Sequence, residues 1–248
     1  MSSSHAYSAG LLGVMGMRKI LVTGFEPFEG NNHNISGEIA NHLNGVTEVV
    51  DLGECSDQQC AESRVVEVEW EGRVLSVDEA GSCVVADLLD QGGEWDAILQ
   101  LGFAERRRRL CLESGAINEA DFRIPDNSGR QPSESFIDED GLPLQLTTAP
   151  LKMLLSEFSS DSDVRRSDDA GRFVCNETCY RTLRMIDRLD CPGGDLELEG
   201  IRVIDYKTGR NTRDFREGTG VFNGGRRLQL GLYALAVEER LSRPVETG

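Results

Sequence analysis

Residues 170–180, AGRFVCNETCY, hold the side chain best set up to do chemistry. A small-residue turn and two bulky apolar residues run into Cys175, and an asparagine and a string of helix-tolerant residues follow. A nucleophile is presented in this way when a strand carries it to a sheet edge and a helix begins just behind it. A thiol at a helix N-terminus feels the positive end of the dipole, which raises its reactive thiolate fraction. The alternative is a buried structural cysteine, since free Cys is among the most buried residue types. Upstream, residues 110–127 (LCLESGAINEADFRIPDN) set Glu113 in an otherwise apolar strand and place Arg123 after a phenylalanine in the turn that follows. A carboxylate on a half-buried strand needs a partner such as His or Arg. Cys175 and Cys179 lie one helical turn apart, a weak zinc signal without partners, and no paired CxxC sequence is present.

Composition bounds the rest. The chain has 248 residues and is 39% hydrophobic, enough for one sizeable α/β domain, or one domain plus a short appendage. A net charge of -17 argues against nonspecific attraction of the whole molecule to nucleic acid or anionic membrane. The charge is uneven, because residues 200–243 carry nine Lys/Arg against five Asp/Glu. Seven irregularly spaced cysteines read as reduced thiols of a cytoplasmic protein. No apolar run is long enough to cross a membrane.

The elements that must position these residues follow along the chain. Residues 1–16 read as a disordered extension, and folded structure is expected from Met17. Residues 20–22 read as a first buried parallel strand, followed by a loop carrying Phe25 and Phe28 and a helix capped by Ser36. Residues 65–69 alternate as a strand that turns at WEGR, and 76–90 have helical spacing. WDAILQLG at 95–102 reads as a central strand carrying Gln100. The four arginines at 106–109 read as a solvated loop, 129–141 as an acidic loop, 149–158 as a helix and 159–171 as a further loop. Alternating strands and helices predict an α/β fold with an open, mostly parallel sheet, helices on both faces, and the site at the carboxyl ends of the strands.

KILVTGFEPFEGNN, LQLGFAE, LCLESGAINEADFRIPDNSG and SDDAGRFVCNETCYRTL occur in that order, and over residues 17–186 the chain resembles pyroglutamyl peptidase, also called pyrrolidone-carboxylate peptidase. The resemblance implies a cysteine peptidase that removes N-terminal pyroglutamate from peptides without a cofactor. Cys175 is then the nucleophile, Glu113 the acid that orients a histidine, and Arg123 faces the oxyanion with the Cys175 amide. Phe25, Phe28, Ile124, Phe173 and Val174 would form the lactam pocket, and the backbone of Gln100 would hold the lactam. Two departures stand out. The family has glycine where Glu29 stands, and it places its histidine on a strand after the cysteine, whereas the histidines here are His5, His33 and His42. Without that base the thiol is harder to ionise and the leaving amine has no general acid, so turnover is expected to be impaired.

Residues 183–248, with LRMIDRLDCPGGDLELEGIRVIDYKTGR and GGRRLQLGLYALAVEERL, resemble the C-terminal nuclease module of RecB and AddB type in the PD-(D/E)XK superfamily. That resemblance implies Asp187 on one strand of a hairpin, Asp205 and Lys207 on the next, and Gln229 and Tyr233 on a following helix. Asp187 and Asp205 would hold Mg²⁺ or Mn²⁺, Lys207 would position the attacking water, and DNA would be the partner. The boundary between the peptidase-like domain and the nuclease-like segment then falls between 186 and 187. A strand at 201–206 and an amphipathic helix at 225–241 are expected to dock on the common sheet, completing or extending it, with Asp205 near where the histidine belongs. Pyroglutamyl peptides without turnover are a third expected partner, and a homo-oligomer is left open.

Overall fold

The structure is a computed structural model that describes residues 14–51, 65–104, 107, 109–157, 164–189 and 202–208. Along them run β1 (Val14–Phe25), α1 (Ile35–Leu43), β2 (Thr47–Asp51), β3 (Val65–Leu75), α2 (Glu79–Asp90) and β4 (Ala97–Phe103). Then come β5 (Leu110–Glu113), β6 (Gly115–Ile117), β7 (Leu144–Leu146), α3 (Leu151–Glu157), β8 (Val164–Ser167), α4 (Val174–Leu189) and β9 (Arg202–Thr208).

Seven strands form one sheet in the order β2-β3-β1-β4-β9-β5-β8. β3, β1, β4 and β9 are parallel, whereas β2 is antiparallel to β3 and β5 to β9. β8 runs parallel to β5 at the far edge, and β6 and β7 make a separate antiparallel ribbon. Successive side chains of a strand leave on opposite faces. Ile20 and Val22 of β1 therefore join one core with Leu43 of α1 and Leu154 of α3. Leu21 joins the other with Val85 and Leu89 of α2 and Leu183 and Ile186 of α4. Each such side chain contributes roughly 1.5–3 kcal/mol on burial, so the mostly parallel sheet is held by helices on both faces.

Several local expectations are corrected. The ordered strand starts at Val14 rather than Met17, because Val14 and Met15 already pair with Val65 and Val66. The cap of α1 is Asn34, whose Oδ1 accepts from Ser36 N at 3.1 Å. Ser36 is buried, with its hydroxyl accepting from Phe25 N and donating to Asn34 Oδ1. β3 does not turn at WEGR: Trp70 is fully buried there, and a Cβ on Gly72 would stand 1.9 Å from Ala40 O, so glycine lets α1 lie against a continuous strand. Residues 164–167, expected as loop, form an edge strand whose two arginines suit a solvent-facing edge.

The C-terminal segment is only partly as expected. β9 docks inside the common sheet, between β4 and β5. The 186/187 boundary falls inside α4, so Asp187 stands on a helix rather than on a hairpin strand, and it accepts from Arg184 Nη1 at 3.1 Å. The helix expected at 225–241, with Gln229 and Tyr233, lies outside the described residues. Among the described residues no helix is long and apolar enough to cross a membrane.

Candidate active site

One row of residues crosses the sheet in register: Thr23 of β1 pairs with Gln100 of β4, Gln100 with Asp205 of β9, Asp205 with Glu113 of β5, and Glu113 with Ser167 of β8. This polar row lies toward the carboxyl ends of β1 and β4, where parallel sheets place their sites. α4 is fastened to it. Gln100 Nε2 donates to Thr182 Oγ1 at 2.8 Å, Thr182 Oγ1 donates to Thr178 O, and Thr178 Oγ1 donates to Val174 O.

Cys175 lies in the first turn of α4 and is half-buried. The helix N-terminus is as expected, but no strand runs directly into the cysteine: β8 ends at Ser167, and a loop with Gly171 at φ +81° intervenes. Asn176 holds that turn in place. Its Nδ2 donates to Ile117 O and Glu119 O, and its Oδ1 accepts from Ile117 N at 3.0 Å. The cysteine packs against an apolar cluster that includes Phe25, Phe122 and Val174, with Phe28 and Phe173 at its margin. The Phe173 ring centroid is 4.7 Å from that of Phe122 and 5.8 Å from that of Phe28.

Two loops bring these rings together. Asn127 Nδ2 donates to Glu26 Oε1 at 2.8 Å and to Pro27 O at 3.0 Å, which ties the loop after β1 to the loop carrying Phe122 and Arg123. Glu26 N donates to Leu75 O and Asn127 N to Val77 O, fixing both to the end of β3. Glu29, where the family carries glycine, has φ +54°, a left-handed conformation costly for a residue with a side chain.

Glu113 is buried, and its Oε1 is 2.7 Å from Arg107 Nη1. Arg107 also donates to Ser167 Oγ and to Asp169 O, which lead into the loop before Cys175. A buried carboxylate requires such a cation. The sequence signalled that need but not its source, since Arg107 stands in the run expected to be a solvated loop.

A second ion pair, buried on its carboxylate side, involves the first turn of α4. Glu177, two residues after Cys175, is 1% exposed. It accepts from Arg130 Nη1 at 3.1 Å and Nη2 at 2.6 Å, and from Arg181 Nη2 at 2.8 Å. Arg130 Nε donates to Asp126 Oδ2 at 3.0 Å, and its guanidinium sits 5.1 Å from the Phe122 ring centroid. Burial pushes the Asp126 carboxyl up, but hydrogen bonds from Ser128 and Arg130 outweigh it and hold the group below the usual carboxylate range. Burial likewise opposes the charge on Arg130, and its bonds to Glu177 and Asp126 more than restore it, raising its pKa.

The structure thus brings together Cys175, Phe25, Phe28, Phe173 and Val174. Gln100 lies on the sheet floor beneath α4 and Glu113 in the same row. Arg123 is exposed and Ile124 half-buried on the loop after Phe122. Asp205 and Lys207 are placed by register only, opposite Glu113 and Cys111. Among the described residues no three His, Cys, Asp or Glu stand close enough together to hold a metal ion, and Asp187 is ion-paired with Arg184. Sequence reading missed Arg107, Arg130 and Glu177.

Comparison with known proteins agrees with this geometry. Residues 18–193 match the family model described as pyroglutamyl peptidase, and residues 182–248 match that of the PD-(D/E)XK nuclease superfamily. A pyrrolidone-carboxylate peptidase of Thermoanaerobacter sp. (strain X514) is 33% identical over 171 residues, covering 68% of this chain and 75% of the relative. Pyrrolidone-carboxylate peptidase 2 of Caldanaerobacter subterraneus subsp. tengcongensis is 33% identical over 188 residues, 75% of this chain and 82% of the relative. The crystal structure of pyroglutamyl peptidase I from Bacillus amyloliquefaciens shares the fold with a TM-score of 0.66 at 24% identity, covering 93% of this chain and 99% of that one. With that model matched from β1 to beyond α4, and with two such relatives over two thirds or more of its length, the chain belongs to the pyroglutamyl peptidase family.

Proposed function

We propose that this chain is a cysteine peptidase that hydrolyses the amide bond following an N-terminal pyroglutamyl residue, and that it does so slowly. Family membership supports the reaction class. The observation that carries the reading is the placement of Cys175 in the first turn of α4, against the Phe122, Phe173 and Phe28 rings.

In this reading the lactam ring enters between Phe28 and Phe173, with Phe25, Ile124 and Val174 completing the pocket and the Gln100 backbone gripping the lactam. Cys175 Sγ attacks the carbonyl carbon, and the negative charge that develops on oxygen faces the Cys175 amide and the Arg123 guanidinium. The intermediate expels the amine and leaves a pyroglutamyl thioester, which water hydrolyses. General acid–base transfer by a positioned side chain is worth about 10²–10⁴ in rate. Residues 176–248 contain no histidine and Glu113 is ion-paired with Arg107, so this transfer is expected to be weak. No metal or organic cofactor enters these steps. Release of a fluorescent amine from a pyroglutamyl amide, abolished by Cys175→Ala, tests the proposal.

The match over 182–248 favours a second reading, a Mg²⁺- or Mn²⁺-dependent nuclease acting on DNA through Asp187, Asp205 and Lys207. The helical position of Asp187 counts against it. Metal-dependent nicking of DNA that survives Cys175→Ala but not Lys207→Ala would establish that activity.

A further inference from the structure

The Arg130 network is not used by any step above, yet it joins the two parts of the pocket that must keep their spacing. We propose that Arg130 is a positioning residue of the pyroglutamyl site, setting the loop that carries Phe122 and Arg123 against the turn that carries Cys175. This rests on the function proposed above.

The guanidinium makes three attachments in different directions. Through Nη1 and Nη2 it grips both oxygens of Glu177, on the first turn of α4. Through Nε it holds Asp126, on the same loop as Arg123, and Asp126 in turn accepts from the Arg130 backbone N–H at 2.9 Å. Its central carbon lies over the Phe122 ring, and Phe122 packs on Phe173, two residues before Cys175. A planar fork fixes angle as well as distance, which a lysine ammonium does not. The oxyanion-facing side chain and the nucleophile thus sit on separate segments joined by one side chain. Displacement of a reacting group by about 1 Å can cost on the order of a hundredfold in rate. Pocket spacing and thiol reactivity are separable properties, because Arg130 reaches Glu177 rather than Cys175 itself.

The test compares two alkylation rates at Cys175 in the full chain, followed by peptide mapping. One reagent is iodoacetamide, which reports the thiol alone. The other is L-pyroglutamyl chloromethyl ketone, which must first occupy the pocket. In both, the thiolate displaces halide, forming a C–S bond as the carbon–halogen bond breaks. The wild-type ratio of the second rate to the first is expected to be well above that of free cysteine. It should fall on the order of tenfold or more in Arg130→Met, and by less in Arg130→Lys, with the iodoacetamide rate little changed. General loosening of the fold would instead raise the iodoacetamide rate. A high wild-type ratio retained in both variants overturns the positioning role and leaves the proposed function standing. If Arg130→Met does not fold, Arg130→Lys decides alone, since its single ammonium cannot serve Glu177 and Asp126 together. A wild-type ratio no higher than that of free cysteine overturns the proposed function, and the inference with it.

Discussion

Asp205 stands directly opposite Glu113 in the antiparallel ladder between β9 and β5, and opposite Gln100 in the parallel ladder between β9 and β4. Glu113, the acid of the proposed site, thus has an aspartate as its register neighbour on the strand that follows the cysteine. A carboxylate there serves a thiol poorly, because negative charge near it disfavours the thiolate. Asp205→His should raise kcat/KM for a pyroglutamyl amide by about 10²-fold or more, read as fluorescent amine release. An unchanged rate would mean that this register position is not where a base acts.

Arg107 is expected to hold up the fold as well as the site. Arg107→Met removes the cation beside buried Glu113 and should destabilise the chain by about 3 kcal/mol, the order seen when one member of a buried pair is removed. Urea unfolding measures this, and Arg107→Met combined with Glu113→Gln should recover part of the loss.

Glu29→Gly should stabilise the chain by about 0.5–1 kcal/mol, the left-handed penalty at φ +54° less the added freedom of the unfolded chain. A thermal midpoint below that of the wild type would contradict it.

Acid should weaken the fold. Asp126 lies below its ordinary value because the bonds from Ser128 and Arg130 outweigh its burial, and Asp138 because of the Arg184 hydrogen bond. The folded chain therefore binds fewer protons than the unfolded chain near pH 4. The stabilisation from these groups is complete above the unfolded carboxyl value, near 4, and is lost as pH falls through the folded values. The thermal midpoint should change little between about pH 7 and 5 and drop below about pH 4. Asp126→Asn should make that drop shallower.

Much of this architecture was legible in the residues. AILQL between an acid and a glycine marks β4 because only a strand covered on both faces tolerates so continuous an apolar run. Glu113 announced the need for a counter-charge, but no local pattern singles out Arg107 from its neighbours in a charged run. The turn expected at WEGR failed because Gly72 serves contact with α1, a tertiary requirement that local turn chemistry does not display. The nuclease resemblance implies a strand at Asp187, but the residue spacing there continues α4: Cys179, Leu183 and Ile186 form one buried stripe. Docking of β9 was foreseeable, since VIDY is a strand that must find a buried place in a sheet. Arg130 and Glu177 were not, because neither sequence neighbourhood shows that a loop arginine will meet a helix glutamate.

The central claim is that Cys175 attacks pyroglutamyl amides in a site without a histidine base. Its most direct measurement is amine release from a pyroglutamyl coumarin amide by the wild-type chain and by Cys175→Ala. The expected result is turnover slower than about 1 s⁻¹, the low end of typical enzymes, and complete loss of that turnover in Cys175→Ala. Release that persists in Cys175→Ala, or a wild-type chain that acts on prolyl amide as readily as on pyroglutamyl amide, would contradict it.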